Sequence, residues 1–174
     1  IFLLPAICML LFLVPFYASA QVAKDTLLAS QYFKKADSLL IENRYNSSIA
    51  LFEKAKMLYE SNKVWEKVAS SYNKVSHIQK LKSDFDSSLK SANQVIEISN
   101  QYLKKNNKEE AHAYDNIGHY YEQSESDFKT ASVYFNKAFE IRKEIFPENH
   151  EDIALSYDKI GVLYHRQGLL IKAL

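Results

Sequence analysis

The sequence of 174 residues is poor in glycine, proline and cysteine, with three, three and one of these residues respectively. Sandwiches and barrels need many tight turns, which glycine and proline favour, so their scarcity argues against an all-β fold. It also excludes a glycine-rich loop that would cradle a phosphate. Long helices joined by short polar turns are the architecture that this composition favours.

The only cysteine, Cys8, lies in the apolar segment at the start of the chain. Its neighbours Ile7 and Met9 do not fit a lipid-modified cysteine, which needs small residues before it and a polar residue after it. If this segment is removed, the remaining chain has no thiol. A disulfide, a thiolate metal site and a cysteine nucleophile are then excluded.

Basic and acidic residues are nearly equal in number. The chain has 22 lysine and arginine residues and 21 aspartate and glutamate residues, and its formal net charge is +1. The balance gives no electrostatic reason to expect nucleic acid or an anionic membrane surface as a partner. The serine pairs Ser70-Ser71 and Ser87-Ser88 lie in regular helical patterns without the strained turn of a serine nucleophile. We therefore expect no cofactor and no catalysis within this chain.

The first 20 residues carry no charge and end in Ala18-Ser19-Ala20, the small-x-small pattern of a signal-peptidase site. We expect a signal peptide over residues 1–20, cleaved after Ala20. The positive n-region and the starting methionine are missing, so this segment is predicted to be incomplete at its N-terminus. The alternative is an uncleaved membrane anchor, for which the run is barely long enough. The predicted localisation is periplasmic or extracellular.

Four segments of the remaining chain share one pattern, an aromatic residue followed four positions later by a small one. We call these segments copies one to four, in chain order. The small residues recur at separations of 40, 42 and 43. Offsets of three and four place side chains on one helix face, so each unit is predicted to be a pair of amphipathic helices. One such pair cannot bury its own apolar face, so neighbouring units must stack. The predicted structural positions are Ala36, Ser76, Gly118, Gly161, Tyr121, Tyr164, Ala55, Ala138 and Pro147.

This pattern resembles the tetratricopeptide repeat (TPR), most closely in Tyr114-x2-Ile117-Gly118-x2-Tyr121 and Tyr157-x2-Ile160-Gly161-x2-Tyr164. The stretch from Ala138 to Tyr164, with its Pro147-Glu148-Asn149-His150 connector, resembles the long kinesin-light-chain type. Ser76 and Gln79 depart from the pattern in copy two, and copy three has one extra residue before Asp127. The resemblance implies an all-α, right-handed solenoid of about four helix pairs over residues 27–174. The units are expected at about 27–62, 65–106, 108–148 and 151–174, the last truncated.

The resemblance also implies a function, which is noncatalytic recognition of a protein or peptide by the concave face of the array. An export signal followed by such repeats resembles bacterial exported proteins in which the array precedes a caspase-like CHAT peptidase domain or a sensor histidine kinase. We expect the recognition or sensing part of a larger exported bacterial protein. The alternative is the substrate-selecting or sensory region of an enzyme whose catalytic domain lies beyond Leu174.

The sharpest polar cluster consists of His112, Asp115, His119 and Glu122, whose spacing places all four on one face of a helix. Two imidazoles and two carboxylates could bind a divalent ion. However, the two histidines lie about 10 Å apart along the helix axis, so a peptide-binding face is the preferred interpretation and no metal is expected. The aligned copies extend the predicted binding face to Asn73, His77, Asp158 and His165.

Overall fold

The computed structural model describes the backbone of residues 4–168 and the side chains of residues 21–168. This part of the chain contains seven α-helices and no β-strand, which confirms the predicted all-α class. Ala173 and all side chains of the predicted signal segment, residues 1–20, lie outside the described residues. Among the residues described, no helix is both long and apolar enough to cross a membrane. The helices are α1 (Leu4–Ile41), α2 (Tyr45–Ser61), α3 (Trp65–Leu81), α4 (Phe85–Tyr102), α5 (Lys108–Gln123), α6 (Phe128–Ile145) and α7 (Glu151–Arg166).

The chain divides into two compact units, residues 1–64 and residues 65–174. In the first unit α1 packs on α2. In the second unit α3 packs on α4 and α5 on α6, while α3 also contacts α5 and α6 contacts α7. We call α3, α5 and α7 the first helices, because each begins a predicted repeat, and α4 and α6 the second helices.

The turns between helices use residues other than glycine in the left-handed region, at Asn43, Lys63 and Ser83 with φ between 57° and 60°. After α3, the amide of Asp84 donates to the carbonyl of Gln79 at 2.9 Å, five residues back. Such a bond closes the end of a helix by satisfying one of its free carbonyls. Helix ends are thus closed although the turns contain almost no glycine.

The extra residue of copy three is taken up in the turn between α5 and α6. There the amide of Asp127 donates to the carbonyl of Tyr121 at 2.8 Å, six residues back rather than five. Ser126, with a φ of 52°, occupies the left-handed position in this wider turn. The insertion therefore leaves the two helices intact on both sides.

The starts of α4, α5, α6 and α7 are each capped by a side chain that accepts a bond from a free backbone amide. Asp84 accepts from Ser87, and Asp127 accepts from Thr130 at 3.0 Å. The remaining two caps are Asn107, which accepts from Glu110, and His150, which accepts from Asp152. These polar residues explain why the helices begin where the apolar periodicity begins.

The small residues of the repeat allow close contact between the two helices of a pair in two ways. In copies one and two a serine hydroxyl donates across the helix pair, from Ser48 to the carbonyl of Ala36 at 2.8 Å and from Ser76 to that of Ser88 at 2.9 Å. In copy three Gly118 makes room for an aromatic ring, because a Cβ atom there would lie 2.7 Å from Cε1 of Phe135. The departures of copy two from the TPR pattern are therefore compensated by hydrogen bonds.

A second compensated departure lies one helical turn further on. In copy three the rings of Tyr121 and Tyr134 stack, with centroids 5.5 Å apart. In copy two Gln79 and Ser91 stand in the corresponding places, and the hydroxyl of Ser91 donates to Oε1 of Gln79 at 2.8 Å. The polar pair of copy two thus keeps a contact between α3 and α4 where copy three has two stacked rings. Of the other predicted structural positions, Ala36, Ala55 and Ala138 are buried, Gly161 and Tyr164 are half-buried, and Pro147 is exposed between α6 and α7.

Candidate functional site

A cleft of about 430 Å³ opens on the face formed by the three first helices of the second unit. It brings together five of the eight residues predicted to form the binding face: Asn73, His77, His112, Asp115 and His119. The other lining residues are Ser70, Lys74, Lys80, Lys108, Glu109, Asn116 and Lys159. The alignment of repeats therefore placed residues from different helices on one common surface.

Asn73 is held in one orientation by Glu109 of the next first helix. Its Nδ2 atom donates to the carbonyl oxygen of Glu109 at 2.9 Å and to Oε2 of the same residue at 2.8 Å. Oδ1 of Asn73 is buried and has no hydrogen-bond partner within the described part of the chain. Burial raises the pKa of Glu109, although the bond from Asn73 opposes that shift. The amide thus offers a fixed acceptor atom at the cleft.

The three histidines of the cleft are neutral at physiological pH. Burial, together with nearby positive charges, lowers the pKa of His77 to about 4 and that of His112 to about 4. Burial also lowers the pKa of His119, against the bond that it shares with Glu122. A neutral imidazole both donates and accepts hydrogen bonds, and Nε2 of His112 is buried without a partner among the described residues.

Asp115 lies at the centre of a buried ionic network that joins three helices. Its Oδ2 atom lies 2.6 Å from Nη2 of Arg142 on α6 and 2.5 Å from Nζ of Lys159 on α7. Arg142 also donates from Nη1 to the hydroxyl of Ser156 at 2.9 Å. Burial would raise the pKa of Asp115, but the charges and hydrogen bonds of Lys159 and Arg142 outweigh it and lower that pKa. Part of the acceptor capacity of this carboxylate is therefore used inside the protein.

Glu122 has a similar role about two turns further along α5, outside the cleft lining. Its Oε1 atom lies 3.2 Å from Nη1 of Arg166 on α7, and its Oε2 atom lies 3.2 Å from Nδ1 of His119. Burial would raise the pKa of Glu122, but the bond with His119 and the charge of Arg166 contribute to a net lowering. Two buried carboxylates of α5 are thus each paired with a cation of α7.

Asp158 and His165, the two remaining predicted residues, are exposed on α7 and do not line the cleft. The buried side of α7 is formed by Ile153, Ser156 and Leu163. Lys159 follows Ser156 by three residues and shares its side of the helix, whereas Asp158 follows it by two and points away. The helix therefore presents Lys159 to the cleft.

The sequence analysis did not assign Glu109 or Lys159 to the site, nor Arg142 to the network behind it. Arg142 carried a usable signal, because it follows Ala138 by four positions and so falls on the apolar side of α6. A charge on that side needs a buried partner of opposite sign. No periodic signal identifies which carboxylate that partner is.

A larger and more open groove, of about 700 Å³, lies along α6 beside α5. Several polar groups of this groove already pair with neighbours. Asn106 donates to Glu144, Asn136 donates to the carbonyl of Ser132, and Glu140 accepts from Lys143. The cleft of the first helices, which has buried polar atoms without partners, is the better candidate site. Within the described residues, no group of three or more histidine, aspartate or glutamate side chains could hold a metal ion.

The family model described as tetratricopeptide repeat matches residues 111–145, which include most of α5 and all of α6. No curated protein matches the sequence.

Three solved structures illustrate the similarity in fold. BtubC (BKLC) from P. vanneervenii is 23% identical over 86% of this chain and 60% of its own, with a TM-score of 0.70. TPR-like repeats described under kinesin light chain, from Podosopora anserina, are 13% identical over 86% of this chain and 71% of theirs, with a TM-score of 0.68. A Rap protein complexed with Competence and Sporulation Factor is 21% identical over 88% of this chain and 40% of its own, with a TM-score of 0.71.

This chain spans about 60% of the length of BtubC and less of the Rap protein. At these identities the similarity establishes the fold. The chain is therefore a scaffold of TPR-like helix pairs, with one repeat matched by sequence at residues 111–145 and an architecture typical of protein–protein interaction.

Proposed function

We propose that the second unit is a noncatalytic recognition module that binds an extended segment of a partner protein in the cleft of its first helices. The observation that carries this proposal is the cleft itself, which has side chains from three successive repeats and buried polar atoms without partners. An extended peptide has backbone donors and acceptors along its whole length, and a row of polar side chains can bind these groups.

The unpartnered atoms match such a ligand chemically. Oδ1 of Asn73 and Oδ1 of Asp115 are acceptors, and Nε2 of His112 takes either role. Leaving such atoms buried without a partner costs free energy, about 1–3 kcal/mol for a neutral group. A backbone amide that donates to one of them would recover part of this cost. The complex of the Rap protein with a bound factor supports a ligand-binding role for this fold.

Packing holds the cleft in its shape before the ligand arrives. Asn73 is fixed by Glu109, and Asp115 is fixed by Arg142 and Lys159. Side chains that are already ordered lose little conformational entropy on binding. Because of these contacts, the cleft should bind its ligand without a large rearrangement of its surface.

At the level of the whole protein, the proposal is that this scaffold is the recognition or sensing part of a larger exported bacterial protein. The uncharged segment that ends in Ala18-Ser19-Ala20 supports export. The connector Pro147-Glu148-Asn149-His150 supports the link to arrays that precede a CHAT peptidase domain or a sensor histidine kinase. Expression of the gene in a Gram-negative host, followed by fractionation and N-terminal sequencing, tests export. A mature N-terminus at Gln21 in the periplasm is the expected result, and an unprocessed cytoplasmic product would contradict it.

The binding proposal is tested by selecting peptides from a random library displayed on phage and measuring their affinity by calorimetry. His77→Trp places a bulky ring in the cleft, and we expect it to abolish binding of the selected peptides without changing the melting temperature. Asn93→Trp introduces the same ring on an exposed position of α4 and serves as the matched control. Peptides that bind the His77→Trp variant as well as they bind the native chain would show that the cleft is not the binding site.

A further inference from the structure

The outer face of α1 exposes aliphatic side chains on either side of a lysine. Leu27, Lys34 and Ile41 follow one another at intervals of seven residues, which is nearly two helical turns, so all three share one face of the helix. Leu27 is 62% exposed and Ile41 is 82% exposed. Lys34 is also exposed, and its ammonium group has no ion pair or hydrogen bond with the described part of the chain. We call these three residues the α1 stripe.

The charge around the α1 stripe is mainly positive. Lys24 and Lys35 are exposed beside it. The carboxylates of the same helix, Asp25 and Asp37, are half-buried; Asp25 accepts a bond from Gln21, and Asp37 also interacts within the chain. Single exposed aliphatic residues are ordinary, whereas a row of them on one face indicates a contact surface. A surface that is apolar and basic is complementary to one that is apolar and acidic.

The groove of about 700 Å³ along α6 has the complementary character, and we call it the α6 groove. Its apolar lining includes Tyr114, Val133 and Ile141, and Val133 is 51% exposed although it lies within a helix. Its lining shares no residue with the cleft of the first helices. Three carboxylates and two ammonium groups complete the charged part of the lining: Glu110, Glu140, Glu144, Lys105 and Lys137.

The negative charges of the α6 groove are more available to a partner than its positive ones. Nζ of Lys137 lies 5.3 Å from the centroid of the Tyr114 ring and 5.1 Å from that of the Tyr134 ring, within the range of a cation–π contact. Glu140 pairs with Lys143, but 62% of its side chain and 49% of that of Lys143 are exposed. Exposed pairs contribute little to stability, so Glu140 can exchange Lys143 for another cation.

The α1 stripe and the α6 groove also match in spacing. Val133 and Glu140 are seven residues apart, as are Leu27 and Lys34, and Lys34 and Ile41. If the two helices lie parallel, Leu27 meets Val133 and Lys34 meets Glu140. If they lie antiparallel, Ile41 meets Val133 and Lys34 again meets Glu140. An apolar contact and an ion pair therefore form together in either direction.

We propose that α1 of one copy of this chain docks in the α6 groove of a second copy, with the ammonium group of Lys34 paired to the carboxylate of Glu140. A second copy is the occupant that the chain itself supplies, because its α1 stripe has the charge and the spacing that the groove needs. The two surfaces differ, so the contact is heterologous and builds either a ring or an open row of copies. It leaves the cleft of the first helices open to a ligand of its own.

The test is sedimentation equilibrium of the full chain over a series of concentrations. We expect reversible association that weakens when salt is added, because salt screens an ion pair at the rim of a contact. Lys34→Glu and Glu140→Lys should each weaken the association about tenfold, since two like charges then face each other. A chain with both substitutions should regain most of the native affinity. An equimolar mixture of the two single variants should associate more tightly than either variant alone, because the reversed stripe of one meets the reversed groove of the other.

Two exposed positions outside both surfaces provide matched controls. Lys90→Glu changes the net charge as much as Lys34→Glu does, but on α4, and should leave the association unchanged. Leu27→Gln tests the apolar part of the contact and should weaken the association, whereas Met57→Gln, at a position of α2 that is 66% exposed, should not.

All of these side chains are exposed, so the melting temperature of each variant should equal that of the native chain. If Lys34→Glu or Glu140→Lys lowers it, Lys34→Gln and Glu140→Gln take their place. Each of these neutral variants should still weaken the association, and native affinity in both would overturn the proposal.

Three further results would overturn the proposal. The first is a chain that stays monomeric up to about 1 mM. The second is an equal loss of affinity in Lys34→Glu and Lys90→Glu, which would reflect net charge alone. The third is an association that neither the double variant nor the mixture restores, because Lys34 would then not pair with Glu140.

The outcome is independent of the proposed peptide binding. His77→Trp, which blocks the cleft, should leave the association of copies unchanged. Loss of association in this variant would show that copies meet through the cleft instead, and the docking of α1 in the α6 groove would be wrong. If no library peptide binds the cleft while the charge-reversal variants behave as expected, the docking stands and the proposed function fails.

Discussion

Nη2 of Arg142 lies 2.6 Å from Oδ2 of Asp115, and both side chains are more than nine-tenths buried. Arg142 belongs to a second helix and Asp115 to a first helix, and the same carboxylate also binds Lys159 of the next first helix. A residue that the sequence assigns to ligand binding therefore also connects neighbouring repeats. Any experiment on Asp115 has to separate these two roles.

Breaking this pair should destabilise the fold strongly. Asp115→Asn leaves the buried guanidinium of Arg142 without a counter-charge, and we expect a loss of about 3–5 kcal/mol in the free energy of unfolding. Replacing both partners, as in Asp115→Leu with Arg142→Met, should cost less than Asp115→Asn alone. Urea denaturation at pH 7 gives the values. The control is Lys143→Met, which removes an exposed pair with Glu140 and should cost less than about 1 kcal/mol. Similar losses in Asp115→Asn and Lys143→Met would refute this account.

Gly118 is expected to tolerate no large side chain, because a Cβ atom there would lie 2.7 and 2.8 Å from two atoms of the Phe135 ring. Gly118→Leu should cost about 3 kcal/mol through overpacking between α5 and α6. Gly118→Ala should cost less, since alanine favours the helix by about 1 kcal/mol over glycine. Thermal unfolding measures both variants.

A double-mutant cycle identifies the cause of the Gly118 effect. Phe135→Leu removes the ring that the new methyl group would meet, so Gly118→Ala should cost less in the Phe135→Leu background than in the native chain. An additive result would mean that Phe135 is not the obstacle.

Stability should fall as the pH is lowered from about 7 to about 4.5. The unfolded chain protonates its histidines near their ordinary pKa of 6.5, whereas His77 and His112 in the folded chain have pKa values of about 4. Between these values the unfolded state binds more protons, so acidification favours unfolding. We expect a loss of about 2 kcal/mol, less than the full shifts imply because both side chains are partly exposed.

The acid response has two further contributions of opposite sign. The lowered pKa values of Asp115 and Glu122 add a loss of stability below about pH 4, when these carboxylates protonate in the folded chain. The raised pKa of Glu109 opposes the loss above pH 4.5. Chemical denaturation at pH 7, 6 and 5 checks the histidine contribution. The variant His77→Gln with His112→Gln should show a flatter profile, and equal slopes would assign the pH dependence to other groups.

The left-handed turn residues offer a route to higher stability. Ser83 has a φ of 60°, which costs a residue with a side chain about 1 kcal/mol and costs glycine little. Ser83→Gly should therefore raise the free energy of unfolding by up to about 1 kcal/mol. Lys90→Gly, in the middle of α4, is the control and should lower it by about 1 kcal/mol. A loss of stability in both variants would show that the turn gains nothing from glycine.

The fold was predictable because its determinants repeat. Small residues such as Ala36, Ser76 and Gly118 recur at nearly constant spacing, and this periodicity predicted the helix pairs. The sequence also placed Asn73, His77, His112, Asp115 and His119 on one surface, where the structure has a cleft. Their role in binding stays a prediction.

The ionic network was not predictable from spacing. Asp115 and Lys159 are 44 residues apart, and Asp115 and Arg142 are 27 apart. Neither separation is a multiple of the repeat, and the copies have no equivalent triads. Which charges meet depends on the rotation of α7 about its own axis, which places Lys159 rather than Asp158 against α5. That rotation follows from the packing of Ile153 and Leu163 and leaves no periodic trace in the polar residues.

The ion pairs between α5 and α7 fix the register of residues within α7. One residue added or removed between Ile153 and Lys159 would turn the rest of the helix by about 100°. Lys159 would turn away from Asp115 and Arg166 away from Glu122, and both buried carboxylates would lose a partner. Surface connections usually accept changes in length with little penalty. Within α7 the constraint comes from electrostatics, so the evolution of this helix should proceed by substitution and not by insertion.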